Sequence, residues 1–286
     1  MLLLNDFTGK ALVDNSDFLL NSLAMDSYLE KNKAAWNAKT AVHIDSDFYD
    51  MPAFLRGETT LKAPELELLG DVSGKRILHL QCHFGQDSLS LARMGASVTG
   101  VDLSDAAIAK ARGLATELEL DATFVNCDLY SLKAHLEGTF DIVFTTYGTI
   151  GWLPDLAKWA DIVSHFLRPG GRLVMADFHP VVWMFDDHFK EITYPYFNTE
   201  TIVEQVEGSY ADRSAAISYE TISWNHPTSE ILQSLIDSGL TLTIYREYDY
   251  SPYPCFSELN EDEPGVFRIR HLGKKMPMLY GIVAVR

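Results

Sequence analysis

Three positions in the middle of the chain carry the residue types that a nucleotide-like ligand requires. Gly85 follows a short apolar run, whereas Asp102 and Asp128 each end an apolar run of their own. A loop that leads into a helix offers free N–H groups to an anionic part of a ligand. A carboxylate at Asp102 can accept both hydroxyl protons of a ribose, and Asp128 can accept from the exocyclic amine of an adenine. Together these positions predict one ligand site.

Apolar runs and helical patterns alternate through the chain, which predicts an α/β fold with seven strands. Strands separated by helices imply right-handed crossovers and a parallel sheet, whereas the last two strands have no helix between them and should pair antiparallel. Ser104 is a suitable N-cap for the alanine-rich helix after the second strand. Strands are predicted at 75–80, 96–102, 122–128, 140–148, 172–178, 241–248 and 277–286, helices at 27–43, 104–118, 153–167 and 228–240, and a long loop at 249–275.

Residues 179–225 interrupt this pattern with nine aromatic residues and two β-like runs. We interpret them as an inserted lid, with a sheet extension or a dimer edge as the alternative. The chain then divides into an N-terminal helical cap (1–70), a ligand-binding core (71–178), the aromatic lid and the rest of the core sheet (226–286). The ligand should lie at the carboxyl edge of the sheet, where the strand order reverses.

Composition and charge restrict the partners of the chain. The formal net charge is −17, the opposite of what a protein needs to bind phosphate backbones, so nucleic acids and anionic membranes are disfavoured. No apolar run reaches the ~20 residues of a membrane span, and the first ten residues lack the basic start of a signal peptide. The cysteines Cys82, Cys127 and Cys255 are too few and too widely spaced for a disulfide framework, which favours a reducing cytoplasm.

Six segments carry the most specific signals, namely "NKAAWN" near the N-terminus and then "ILHLQCHFGQDS", "VTGVDLS", "VNCDL", "FDIVFTTYG" and "LRPGGRLVMADF". They resemble motifs of the class I S-adenosylmethionine-dependent methyltransferases that act on small molecules, and apart from "NKAAWN" the resemblance runs from about residue 75 to residue 171. The resemblance implies a Rossmann-like methyltransferase sheet and S-adenosylmethionine as the cofactor. It implies cofactor contacts from Trp36, Gln81, His83, Gly85, Gln86, Asp102, Leu103, Asp128, Leu129 and Thr146.

The first of the core motifs departs from the family. His79 stands where the family has an acidic residue, and Gln81 and His83 stand where it has glycines. Because side chains other than glycine resist positive φ, we expect the loop to follow a slightly different path. Gln81 or Gln86 would then replace contacts to the methionine end that the backbone or a carboxylate otherwise makes.

Methyl transfer is an in-line displacement, so alignment is the largest contribution of the enzyme. A general base is needed where the acceptor must lose a proton, and a histidine with a pKa near neutrality suits that task. His179 is our first candidate, because it follows the fifth strand, and Tyr147 and His83 come next. The predicted function is N- or O-methylation of a neutral or cationic metabolite, and a homodimer is an open alternative to a monomer.

Several other functions stay open. The chain could bind the cofactor and run other chemistry, such as decarboxylation or rearrangement, it could methylate a protein side chain, or it could be a non-catalytic binding subunit. A metal site at His79, Cys82 and His83 is disfavoured, because zinc sites require four converging ligands. Nicotinamide binding is disfavoured too, because its G-x-G-x-x-G fingerprint would have one glycine here.

Overall fold

The computed structural model describes residues 15–197 and 200–286, so the segment considered for a signal peptide lies outside the described residues. The helices are α1 (Asn15–His43), α2 (Met51–Leu55), α3 (Ala63–Leu69), α4 (Gln86–Arg93), α5 (Asp105–Glu117), α6 (Leu156–Phe166) and α7 (Thr228–Asp237). The strands are β1 (Arg76–Leu80), β2 (Ser97–Asp102), β3 (Ala122–Asn126), β4 (Phe140–Thr146), β5 (Leu167–Phe178), β6 (Ile202–Glu207), β7 (Ser218–Ser223), β8 (Thr241–Tyr248), β9 (Leu259–Glu263), β10 (Val266–Ile269) and β11 (Leu279–Val285).

Seven of these strands form one sheet in the order β3-β2-β1-β4-β5-β11-β8. The first five run parallel, and β11 runs antiparallel to both of its neighbours, β5 and β8. The predicted seven-stranded, mostly parallel sheet with an antiparallel last pair is therefore confirmed. The strand order reverses between β1 and β4, which opens a crevice at their carboxyl ends.

The sheet is buried on both faces, as a parallel sheet requires. In β1, Leu78 and Leu80 face a core that α6 fills with Trp159 and Phe166, and all four side chains are fully buried. Ile77 faces the opposite core, beneath α3 and α4. The strands are held between two packed layers, so the loops at their carboxyl ends project from a rigid base.

Two predictions on the periphery of the sheet need correction. Strand β5 begins at Leu167, five residues earlier than predicted. The "RPGG" segment is extended because it pairs with the last residue, where the Gly170 N–H donates to the Arg286 carbonyl at 2.9 Å. The segment 249–275 is not one long loop, since β9 and β10 form an antiparallel hairpin within it.

The aromatic segment 179–225 contains a hairpin of its own. Strands β6 and β7 pair antiparallel with each other in a sheet separate from the main one, so within the described residues they do not extend the core sheet. The Asn32 side chain on α1 donates to the Ile222 carbonyl at 2.7 Å and accepts from the Ile222 N–H at 2.9 Å. This reciprocal pair fastens the hairpin to α1 above the carboxyl edge of the sheet.

Candidate active site

A cavity of about 890 Å³ lies at the carboxyl edge of the sheet. Its floor is the loop after β1 together with the ends of β2 to β5, and its other walls come from α1, the aromatic segment and residues 253–257. Ligand sites typically measure about 300–1,000 Å³. The volume is therefore at the upper end of that range, which suits a cofactor and a second small molecule together.

The loop after β1 keeps the backbone shape of a glycine-rich loop without its glycines. Gln81 and His83 have φ of 54° and 53°, and Gly85 has φ of 83°. Gln81 and His83 therefore adopt the positive φ that we expected their side chains to resist. Left-handed backbone costs about 1–2 kcal/mol at a residue with a side chain, and here it aims the His83 N–H at Asp102. Only glycine fits at position 85, because a Cβ there would lie 2.9 Å from the Phe124 ring.

Asp102 is held at the end of β2 by backbone donors. Its Oδ2 accepts from the His83 N–H and its Oδ1 from the Ser104 N–H, both at 2.8 Å. Each carboxylate oxygen keeps a further lone pair, so the side chain can also accept two ribose hydroxyls. Burial raises the pKa of Asp102 to about 6, although these backbone bonds oppose the rise. The site therefore has its full charge only above that pH.

The two glutamines of the altered loop have different environments. Gln81 donates from Nε2 to the Thr149 carbonyl at 2.8 Å, and its Oε1 is buried without a hydrogen-bond partner in the described part of the chain. That oxygen is free to accept from a cationic ligand group. Gln86 donates to the Tyr49 carbonyl at 2.9 Å, so it joins α4 to the segment after α1 while it also lines the cavity.

The other predicted cofactor contacts lie on the same cavity. Asp128 accepts from the Ser131 N–H at 3.1 Å and so caps the short turn after β3. Cavity-lining residues include Trp36, Leu103, Asp128, Leu129 and Thr146. The structure thus brings all ten predicted cofactor residues to one cavity, although their contacts with a cofactor stay predictions.

The predicted catalytic residues are less well placed. The Tyr147 hydroxyl donates a hydrogen bond to the Glu65 carboxylate. Burial is the main cause that raises the pKa of Tyr147 well above its ordinary value, and the charge of Glu65 is the next. Burial also lowers the pKa of His83 far below its ordinary value. Tyr147 therefore keeps its proton, and His83 is a neutral and weak base at neutral pH.

His179 is the prediction that the geometry disfavours most. It is 5% exposed and is not among the residues that line the cavity. Its N–H donates to the Met278 carbonyl at 2.9 Å, which continues the pairing with the β11 end and turns the ring toward β8. There Nδ1 accepts from the Val181 N–H at 3.2 Å, and Nε2 lies 3.1 Å from the Glu247 carboxylate. Both ring nitrogens are engaged away from the cavity.

Sequence reasoning missed Lys39, a buried cation on the cavity wall. Its Nζ lies 4.4 Å from the centre of the Trp36 ring, 4.8 Å from that of Trp152 and 5.1 Å from that of Tyr219. The side chain is 6% exposed, and burial lowers its pKa to about 8. The sequence around Lys39 does not predict this arrangement, because the three rings come from separate segments of the chain.

Two further aspartate and asparagine positions were also missed. Asp177, 2% exposed at the end of β5, accepts from the Thr149 N–H and the Thr149 hydroxyl, both at 3.1 Å. It therefore holds the loop after β4 in place. Asn37 on α1 accepts from the Ser104 hydroxyl at 2.6 Å, which fastens α1 beside Asp102.

Within residues 28–197 and 200–286, whose side chains the structure describes, no group of three or more histidine, cysteine or acidic side chains could hold a metal ion. Cys82 and His79 are buried, and His79 instead lies 2.8 Å from the Ser88 hydroxyl through Nδ1. In the same part of the chain, no helix has both the length and the apolar character that a membrane crossing requires.

Comparison with known proteins gives matches to a family model, to curated relatives and to solved structures. A family model described as a methyltransferase domain matches residues 77–171. Over 110 residues the chain is 33% identical to a ubiquinone biosynthesis O-methyltransferase of Alkalilimnicola ehrlichii, which covers 38% of this chain and 44% of that protein. The chain thus matches less than half the length of this curated relative.

Solved structures share the fold over a longer range. An S-adenosylmethionine-dependent methyltransferase from Mesorhizobium loti has a TM-score of 0.53 and 21% identity, over 78% of this chain and 95% of that one. A geranyl diphosphate C-methyltransferase from Streptomyces coelicolor, solved with S-adenosyl-L-homocysteine, has a TM-score of 0.51 and 17% identity, over 78% of this chain and 74% of that one. These likenesses confirm the fold that the sequence predicted.

Proposed function

We propose, from the premise that this chain belongs to the class I S-adenosylmethionine-dependent methyltransferases, that it methylates a nitrogen or oxygen of a small-molecule metabolite. The family, its fold and S-adenosylmethionine as its cofactor agree with the matched domain and the solved relatives. The activity and the acceptor are our proposal, as are the monomer or homodimer state and the cytoplasmic location.

One observation supports the proposal most strongly, namely the arrangement around Asp102. Its carboxylate is fixed by the His83 and Ser104 N–H groups at the carboxyl end of β2, which lies between β1 and β3. Gly85 ends the loop before α4 on one side of it, and Asp128 follows the next strand, β3, on the other. This order suits an adenosine that lies across the strand ends, with its ribose on Asp102 and its adenine toward Asp128.

The proposed chemistry depends mainly on alignment. The bound cofactor supplies an electrophilic methyl group on a sulfonium. The chain positions the two reactants and excludes water, which can lower the barrier by several kcal/mol without a base. Tyr147 keeps its proton, His83 is a weak base and His179 lies away from the cavity. We therefore expect an acceptor that binds as a free amine or needs little help to lose a proton.

The opposite side of the cavity suggests the character of the acceptor. Aromatic side chains line it, and Trp183, for example, contacts Phe178 and Phe256 with ring centres 5.8 and 5.7 Å apart. Carboxylates from the aromatic segment, Asp186 and Glu204 among them, lie on the same cavity. Aromatic faces and negative charge favour a planar or cationic acceptor. The segment 179–225 would act as its lid.

Incubation with methyl-labelled S-adenosylmethionine and a metabolite extract, followed by mass spectrometry, tests the proposal. We expect a small molecule that gains the mass of one methyl group. Cofactor consumption without that gain would point to other chemistry, labelled macromolecules would point to a protein acceptor, and cofactor binding without turnover would point to a binding subunit. Each of these three results contradicts the proposed function.

A further inference from the structure

Lys39 is a buried cation on the wall of the cavity. Its side chain is 6% exposed, and in the described part of the chain no carboxylate lies within ion-pair distance of its Nζ. Three aromatic rings surround the ammonium group, which satisfies part of its charge but none of its three donors with an anion. A buried charge of this kind is costly unless a partner of opposite sign joins it.

The course of α1 places Lys39 along the expected cofactor site. Burial and then the charge of Asp128 raise the pKa of Tyr28, so the tyrosine hydroxyl lies near the predicted adenine end. Asn37 binds Ser104 beside the predicted ribose site. Lys39 is eleven positions beyond Tyr28 on the same helix, which is about 16 Å at 1.5 Å per residue. The helix therefore runs from the adenine end past the ribose to a third position.

That third position is also where Gln81 lies. Gln81 donates to the Thr149 carbonyl, and the short turn that begins there carries Trp152, one of the rings around Lys39. The Oε1 of Gln81, which has no hydrogen-bond partner among the described residues, and the ammonium of Lys39 are thus on neighbouring parts of one wall. One group accepts a hydrogen bond and the other donates, which is the pair that a zwitterionic amino acid requires.

We propose that Lys39 binds the carboxylate of the amino-acid end of the cofactor, while Gln81 Oε1 accepts a hydrogen bond from the ammonium group of that end. This assignment rests on the proposed function, because it presumes that the adenosine lies on Asp102. It explains how a loop without its usual glycines and acidic residue still holds the methionine end. Lys39 is accordingly a cofactor-binding residue.

The test compares two ligands that differ only at the amino-acid end. S-adenosylhomocysteine has that end, and 5′-methylthioadenosine lacks it. Calorimetry should show that Lys39→Met weakens S-adenosylhomocysteine about 10- to 100-fold, as for a charged hydrogen bond, and leaves 5′-methylthioadenosine within about twofold. Methionine keeps the apolar stem between the rings, so we expect the ligand-free variant to melt no lower than the wild type.

A matched control is available on the same cavity. Lys62 also lines it, with Nζ 5.0 Å from the centre of the Tyr253 ring, and Lys62→Met should leave both affinities unchanged within about twofold. A second measurement uses only wild-type protein. It should bind S-adenosylhomocysteine about 10- to 100-fold more tightly than the decarboxylated analogue of that ligand.

Three outcomes overturn the assignment. Unchanged S-adenosylhomocysteine affinity in Lys39→Met, or equal affinity of wild type for the decarboxylated analogue, removes the carboxylate contact. Equal weakening of both nucleosides in Lys39→Met shows a general packing role instead. Wild-type protein that binds neither nucleoside overturns the proposed function itself, which separates that failure from failure of the Lys39 contact alone.

Discussion

The cavity has two walls that the chain builds in different ways. The cofactor wall comprises the loop 81–85 and the ends of β2 to β4, and the acceptor wall comprises residues 178–224 and 253–257. Backbone groups shape the cofactor wall, as where the His83 and Ser104 N–H groups hold Asp102. Side-chain rings shape the acceptor wall, as where Trp183 and Phe256 meet edge to face.

This difference separates what the fold determines from what it leaves variable. Strand ends in a packed parallel sheet hold their positions whatever side chains the loops carry, so Gln81 and His83 adopt the left-handed backbone of the glycines they replace. Loops and insertions are where related folds differ in substrate. The cofactor wall should therefore respond to changes in charge and backbone, and the acceptor wall to changes in aromatic shape.

The largest expected effect is on the cofactor wall. Asp102→Ala removes a carboxylate that we expect to accept two ribose hydroxyls, so S-adenosylhomocysteine should bind about 1.5–3 kcal/mol more weakly, or about 10- to 100-fold. Calorimetry measures this directly. Asp105→Ala is the matched control, because Asp105 is an exposed aspartate three positions along that pairs with Lys33 at 3.0 Å, and it should bind like wild type. Equal affinities of all three proteins would place the ribose elsewhere.

The pH dependence of cofactor affinity should be the next largest effect. Burial raises the pKa of Asp102 to about 6, so below that pH the free protein must lose a proton before it binds a ribose. Affinity should fall toward tenfold per pH unit below about 6 and level off above it. Asp102→Asn, which cannot titrate, should remove the slope between pH 5 and 6.

The folding stability of the free protein should change with pH in the direction opposite to the cofactor affinity, and should fall as the pH rises. Because the folded pKa is raised, the contribution of Asp102 to stability is fully present below its unfolded value, near 3.9, and is lost as the pH rises through about 6.

For the cofactor, a pH dependence of affinity that persists in Asp102→Asn between pH 5 and 6 would assign the titration to another group.

A moderate effect is expected on the acceptor wall. Trp183→Ala removes a ring that contacts Phe178 and Phe256, so KM for the acceptor should rise several-fold to about tenfold, while the affinity for S-adenosylhomocysteine stays the same. Steady-state kinetics with the acceptor identified from the extract, together with calorimetry, separates the two quantities. If Trp183→Ala weakens acceptor binding and S-adenosylhomocysteine binding to the same extent, the two walls are not independent.

The smallest effect is expected at His179. Both of its ring nitrogens are engaged outside the cavity, so His179→Asn should change kcat by less than about threefold. A general base would contribute about 10²–10⁴. A loss in that larger range, with unchanged cofactor affinity and with loss of the pH dependence near 6–7, would return the base to His179.

The sequence predicted the cofactor wall well because its signals are local. The apolar runs that stop at Asp102 and Asp128 mark the end of β2 and the turn just after β3, and Ser104 caps α5 through a hydrogen bond from the Ala107 N–H at 3.0 Å. The sheet order then brings these ends together, since right-handed crossovers leave few alternatives. Each step needs only neighbouring residues and a general rule of packing.

The sequence did not predict Lys39 or the orientation of His179, because the contacts of both residues are distant along the chain. Lys39 meets Trp152 and Tyr219 only after α1, the loop after β4 and the hairpin have packed. The orientation of His179 depends on Met278 and Glu247. Strand position alone placed His179 at the correct edge of the sheet but could not determine the direction of its ring.

A crystal structure of the complex with S-adenosylhomocysteine would show where the nucleoside binds. We expect both ribose hydroxyls to lie within hydrogen-bond distance of the Asp102 carboxylate, with the adenine beside Asp128 and Leu129. A nucleoside bound elsewhere in the cavity, with Asp102 still joined only to the His83 and Ser104 N–H groups, would contradict this expectation.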